Sequence, residues 1–283
     1  MRNVAVSAIK IVLFIALGAG LAVGYIVMIS PMIGLPVVKQ MSPTANLAFE
    51  VAQFLSMFVP AALMMWFMDG KSPVAMGFAP RGMGGDFFSG SVVGAFIFFV
   101  GLGVAFAAGW ARLDLQLQNF SMAALGLSAL VMSIHAAMEE VMFRGYILQE
   151  LMSKFSTATS VSVSSVIFVA LHAGGLVKDE VGIVGAVNIL LASVLMSVAY
   201  LRTRQLWLPI GIHAGWNFTQ GPLLGISVSG NDLSEGWHAV ALEGSKWVTG
   251  GQFGFEASLP GLVGPALGIL LVLAFIRGPA AEH

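Results

Sequence analysis

Apolar residues run along this chain in blocks of about 20, separated by short segments that hold most of its charges. A helix needs about 20 such residues to cross the hydrocarbon core of a bilayer, so each block reads as a membrane span. Eight are predicted, at about 11–29, 45–68, 88–110, 122–148, 157–175, 181–201, 206–226 and 259–276. Pro31, Gly34 and Pro36 make a loop with Lys39 after the first, and Asp69, Lys71, Arg81 and Asp86 lie in a glycine-rich loop after the second. Lys178-Asp179-Glu180 precedes the sixth, and Arg202 and Arg204 precede the seventh. The longest predicted loop, 227–258, carries Asp232, Glu235, Glu243 and Glu256. Arg2 and Lys10 stand before or within an apolar start that continues to about residue 29 without a small-residue cleavage site. A retained first helix is therefore expected rather than a removed signal peptide.

Composition sharpens this picture. Of 283 residues, 58% are hydrophobic and 10% charged, with mean hydropathy +0.90; a soluble domain carries about 25% charged residues. The expected fold class is all-α: one integral-membrane domain over 1–283, a bundle of about eight transmembrane helices enclosing a polar cavity. Net charge is −1 with no basic tract, so nucleic acid is not an expected partner, whereas the lipid bilayer is. The chain has no cysteine, which excludes disulfides, thiolate zinc sites and a cysteine nucleophile. Its 34 glycines suit close helix packing, and Gly20-xxx-Gly24 has the spacing for it. Lysines and arginines in alternate loops divide eight against four when the N-terminus is cytoplasmic, with Arg2, Lys10, Lys71, Arg81, Lys154, Arg202, Arg204 and Arg277 against Lys39, Arg112, Lys178 and Lys246. That predicts N-in and C-in.

The candidate chemistry begins inside the fourth block, at Met138-Glu139-Glu140-Val141-Met142-Phe143-Arg144. Each of its three charges costs roughly 2.5–3.5 kcal/mol near the membrane centre unless paired or facing a wet cavity. Glu140 and Arg144 are i and i+4 on one helical face, in the favoured order for an ion pair. Glu139 points about 100° away, so its proton affinity can be set by a different environment. The fifth block ends in Phe168-Val169-Ala170-Leu171-His172, and the seventh holds His213-Ala214-Gly215-Trp216-Asn217, with Gly211 and Gly215 leaving room for a neighbouring backbone. Two chemistries fit such a set. A glutamate takes a proton from water while histidine and asparagine stabilise an oxyanion; or Glu139, His172 and His213 hold a zinc ion that activates the water. The HExxH zinc helix is absent, and no G-x-S-x-G supports a serine nucleophile.

Glu-Glu-x-x-x-Arg, Phe-x-x-x-His and His-x-x-x-Asn, in this order on separate hydrophobic elements, resemble the CPBP family. These are the CAAX-protease and bacteriocin-processing intramembrane proteases, also called the Abi family and related to the Ras-converting CAAX endopeptidase. Phe143-Arg144-Gly145 and Leu206-Trp207-Leu208-Pro209-Ile210 are similar to the family's flanking residues, and the resemblance covers about 134–218. It implies an endopeptidase acting on a peptide or protein substrate in or at the membrane. Glu139 would then activate water, His172 position it, His213 and Asn217 bind the oxyanion, and Glu140 and Arg144 support the site by pairing. Both the metal-free and the zinc chemistry stay open. So do two other classes: a non-catalytic scaffold or immunity factor, and a proton-coupled transporter using the buried carboxylates as a relay. Plainer readings stand beside these, with His172 as a helix-end cap, and His213 and Asn217 as interhelical glue. Glu50 is expected at the interface or paired with a loop cation, and His135 is read as a satisfied bundle histidine.

Overall fold

A bilayer offers backbone polar groups no water, so the apolar blocks satisfy them by forming helices. In the computed structural model, which describes residues 4–29, 43–118, 120–177, 180–233 and 237–276, these helices follow one another with short connections. They are α1 (Val4–Gly24, continued by a π-helical turn, Tyr25–Ile29), α2 (Pro43–Asp69), α3 (Met83–Ala107), α4 (Met122–Glu140), α5 (Leu148–Met152), α6 (Thr157–Leu176), α7 (Gly182–Thr203) and α8 (Trp207–Phe218). A strand β1 (Ala111–Gln116) lies between α3 and α4, and after α8 come β2 (His238–Leu242), the single turn α9 (Lys246–Thr249) and α10 (Val263–Phe275). The expected loop around Pro31, Gly34, Pro36 and Lys39 lies outside the described residues, as do Arg2, Lys178, Asp179, Glu235, Arg277 and His283.

The chain is an all-α polytopic membrane protein. Among the described residues six helices are long and apolar enough to cross a bilayer: α1, α2, α3, α6, α7 and the continuous helical run Met122–Met152 that joins α4 to α5. The expected count of eight is not reached by this measure, because the seventh and eighth blocks form shorter pieces. In the seventh, α8 passes into a π-helical segment, Thr219–Leu223, that contains Pro222. In the eighth, a 3-10 turn at Pro260–Leu262 precedes α10. Serine hydroxyls start two of the spans. Ser121 Oγ accepts from the Ala124 amide and Ser156 Oγ from the Thr159 amide, each supplying a partner to an orphan N–H of the first turn.

The predicted loop 227–258 is more ordered than its composition suggests. Its β2 pairs antiparallel with β1, Ala111 opposite Leu242 and Leu113 opposite Val240, and Arg112 bonds Glu243 beside this ribbon. At the other end of the bundle, Lys10 pairs with Asp69 and lies 3.8 Å from Glu150, while Ser7 donates to Glu150. The start of α1, the end of α2 and α5 therefore share one end, as alternate crossings require.

Close packing is concentrated where α3 meets α8. A Cβ at Gly94 would stand 2.1 Å from the Ile212 carbonyl oxygen, and one at Gly90 2.5 Å from that of Leu208. From the other side, Gly211 and Gly215 would each place a Cβ 2.2 Å from a carbonyl, of Phe87 and Ser91 respectively. The two helices thus meet backbone to backbone through reciprocal small-xxx-small pairs, and this contact fixes the helix that carries His213. The first such pair in the sequence behaves differently: a Cβ at Gly20 or Gly24 would meet nothing within 4 Å among the described residues. Gly215→Val is accordingly expected to cost about 3 kcal/mol, the upper part of the overpacking range, and to displace α8. Gly20→Val should leave the chain's unfolding unchanged. Melting curves of both variants in detergent check the pair.

Candidate active site

The polar residues of the fourth block sit at a change of helix geometry. The α-helical ladder of α4 ends at Glu140, and a π-helical segment, Val141–Ile147, begins immediately after it. Wide turns of this kind occur at functional sites because they re-aim side chains. Here the two glutamates part company as their spacing predicts. Glu140 and Arg144 are both fully buried, with Arg144 Nη1 donating to Glu140 Oε1 at 3.1 Å. The guanidinium reaches further: Nη2 donates to the carbonyl oxygen of Ser193 at 2.6 Å and to its Oγ at 2.8 Å. Its carbon also lies 5.2 Å from the Phe168 ring centroid and 5.8 Å from that of Phe143, within cation–π range. One arginine therefore ties the π-helical segment to α6 and α7.

Glu139 faces three imidazoles instead of a guanidinium. His172 Nε2 is 3.9 Å from Glu139 Oε1, His213 Nε2 is 3.8 Å from Oε2, and His135 Nε2 is 3.6 Å from Oε1. Each ring is anchored by its other nitrogen. His172 Nδ1 lies 2.8 Å from the Phe168 carbonyl oxygen, which can only accept, so Nδ1 carries the proton and Nε2 is turned toward Glu139. His213 Nδ1 is 3.1 Å from Glu140 Oε1, and His135 Nδ1 is 3.1 Å from Glu50 Oε2. Glu139 Oε2 is buried and has no hydrogen-bond partner among the described residues. The Phe168 ring, 4.7 Å from that of Phe143 and 4.6 Å from that of His172, forms the apolar wall under this cluster.

Of the residues expected at the site, Glu139, Glu140, Arg144, His172 and His213 are linked by these contacts. Asn217 is buried one helical turn beyond His213 on α8. Glu139 turns one oxygen toward His172 and the other toward His213, and among the described residues no group of three or more histidine, aspartate or glutamate side chains could hold a metal ion.

Three features were not anticipated. Among the described residues the partner of Glu50 is His135 and not a loop cation, and His135 in turn faces Glu139 rather than serving only the bundle. Ser193 supplies two acceptors to Arg144, a role no motif in α7 signals. Finally, the segment after β2 folds back so that Glu256 Oε2 accepts from the amide of Ser229 at 2.7 Å and from its hydroxyl at 3.1 Å. Gly254 makes the fold-back feasible: its φ is +107°, and a Cβ there would stand 1.9 Å from the Ser227 carbonyl oxygen.

Burial pushes the Glu256 carboxyl above the usual carboxylate range, while the Ser229 bonds and the nearby His172 and His213 pull it part of the way back. A carboxyl raised in the folded state gives its stabilisation at low pH and loses it as pH rises through the folded value. Glu256→Gln keeps an acceptor for both Ser229 donors and removes the buried charge. The variant is expected to melt higher than the wild type near pH 8. The difference should vanish below about pH 4, where an unfolded glutamate is itself protonated. Melting temperatures across that range measure it.

Residues 120–219 match the family described as type II CAAX prenyl endopeptidase Rce1-like. No curated protein and no solved structure matches the chain. The matched segment runs from the cap of α4 to the end of α8, so it includes Glu139, Glu140, Arg144, His172, His213 and Asn217 and leaves out Glu50 and Glu256. The similarity to the type II CAAX prenyl endopeptidase Rce1-like family covers 100 of the chain's 283 residues.

Proposed function

We propose that the chain hydrolyses a peptide bond within or beside the membrane, using a water activated by Glu139. The observation that carries this reading is the placement of the Glu139 carboxylate against three imidazole Nε2 atoms at 3.6–3.9 Å. Such separations exceed a direct hydrogen bond and suit one bridging water. Glu139 takes a proton from that water, and the hydroxide oxygen attacks the carbonyl carbon of the scissile bond. His172 orients the water through its Nε2. The oxyanion forms toward α8, where Asn217 is a donor through its side-chain amide and His213, with Nδ1–H on Glu140 Oε1, donates from Nε2 as the imidazolium. The proton held by Glu139 then passes to the departing amine as the C–N bond breaks, leaving a carboxylate and an amine. Proton transfer of this kind contributes typically 10²–10⁴-fold, and one oxyanion donor about 10²–10³-fold. Glu140 and Arg144 do not touch the substrate; they hold His213 and the turn of helix that presents Glu139.

The substrate is a peptide or protein that reaches Glu139 from the bilayer or one of its surfaces. The N-terminus is cytoplasmic by the lysine and arginine count, which places the β1–β2 ribbon and Glu256 on the opposite side.

The test is to reconstitute the purified chain in vesicles with a library of hydrophobic peptides in water enriched in oxygen-18. New C-termini carrying one heavy oxygen are expected. Ion or solute flux without cleaved peptide would overturn the reading in favour of a transporter, and intact peptides without flux in favour of a scaffold.

A further inference from the structure

We propose that Glu50, which lies outside the residues of the family match, and His135, which lies within them, are a positioning pair for this reaction: Glu50 orients His135, and His135 holds the Oε1 side of Glu139. The proposal rests on the reading of Glu139 as the base.

Glu50 lies within α2, inside a span from Ala45 to Asp69 whose other residues are mainly apolar, and its side chain is only 12% exposed. A carboxylate in that position needs a partner, and the structure supplies His135 of α4 at 3.1 Å. Had His135 served only to join α2 to α4, one bond from Nδ1 would suffice. Its Nε2 instead faces Glu139, one turn further along the same helix, at 3.6 Å. The arrangement repeats that of His172 and His213: an acceptor fixes Nδ1, and Nε2 meets the same carboxylate. For His213 the acceptor is itself a glutamate, so Glu50 stands to His135 as Glu140 stands to His213. Three rings fixed in this way restrict where the carboxylate can turn. A misplacement of about 1 Å in a reacting group costs about 10²-fold in rate.

The experiment measures kcat and KM separately on an internally quenched hydrophobic peptide chosen from those the wild type cleaves. Glu50→Ala and His135→Ala should each lower kcat about 10- to 100-fold, with KM within about twofold and an unchanged melting temperature. Glu50→Gln, which keeps an acceptor for Nδ1–H, should recover part of the loss. The double variant should be no worse than either single one, because the two residues act as a unit. Unchanged kcat in both alanine variants would overturn the pair while leaving Glu139 as the base, as would losses that multiply or that follow the melting temperature. If the wild type cleaves nothing, both readings fall.

A second readout needs no substrate. The chain has five histidines, so nitrogen-15 labelling of histidine resolves few signals. The His135 resonances should move in Glu50→Ala and again in Glu139→Gln; resonances indifferent to both changes would contradict the contacts themselves.

Discussion

Replacing Arg144 by methionine should destabilise the chain by about 3–5 kcal/mol, because it leaves the Glu140 carboxylate fully buried without its counter-charge. The same change releases both acceptors of Ser193 and the cation seated between Phe143 and Phe168. Exchanging both partners, as Arg144→Met with Glu140→Leu, should restore much of that stability, since an apolar pair of similar volume needs no desolvation compensation. It should not restore cleavage, because His213 would lose the oxygen that fixes its Nδ1. Unfolding curves in detergent, read beside peptide cleavage, separate the two roles. Equal stability of the single and double variants would contradict the pairing account.

The second large effect is expected at Glu139. Glu139→Gln is nearly isosteric and keeps an oxygen and a donor facing the histidines, so the fold should hold. A carboxamide cannot accept the proton of an attacking water, however, and cleavage should fall by at least about 10³-fold. Substrate affinity should stay close to that of the wild type, since the loss is in the barrier rather than in binding. A variant that binds and does not cut would also capture substrates for identification.

Much of this site was legible in the sequence, for reasons that can be named. Charges inside a 20-residue apolar block are costly, so Glu139, Glu140 and Arg144 announced themselves, and i, i+4 spacing paired the right two. Gly211 and Gly215 signalled a close neighbour, and α3 fills that place through Gly90 and Gly94. Gly20 and Gly24 carry the same spacing, yet a Cβ at either would meet no neighbour among the described residues, because spacing alone does not say which face meets a helix. Glu50 and His135 were visible as polar residues in apolar blocks, but their partnership joins positions 85 residues apart, and no local rule pairs them. The return of Glu256 toward the histidines was hidden for a similar reason. It depends on a strand pairing between β1 and β2 and on Gly254, both set by tertiary contacts. The two shorter helices escaped because hydropathy counts apolar residues without registering that α8 gives way to a π-helical segment containing Pro222, or that the last helical run begins only at Pro260.

The most direct test of the account compares wild type with Glu139→Gln, both in vesicles and matched for melting temperature. Cleavage of a hydrophobic peptide library is followed by mass spectrometry with and without phenanthroline. The account predicts new peptide termini from the wild type, with or without the chelator, and none from Glu139→Gln. The same termini appearing with both proteins would contradict Glu139 as the base, and cleavage abolished by the chelator would contradict a water activated by the carboxylate alone.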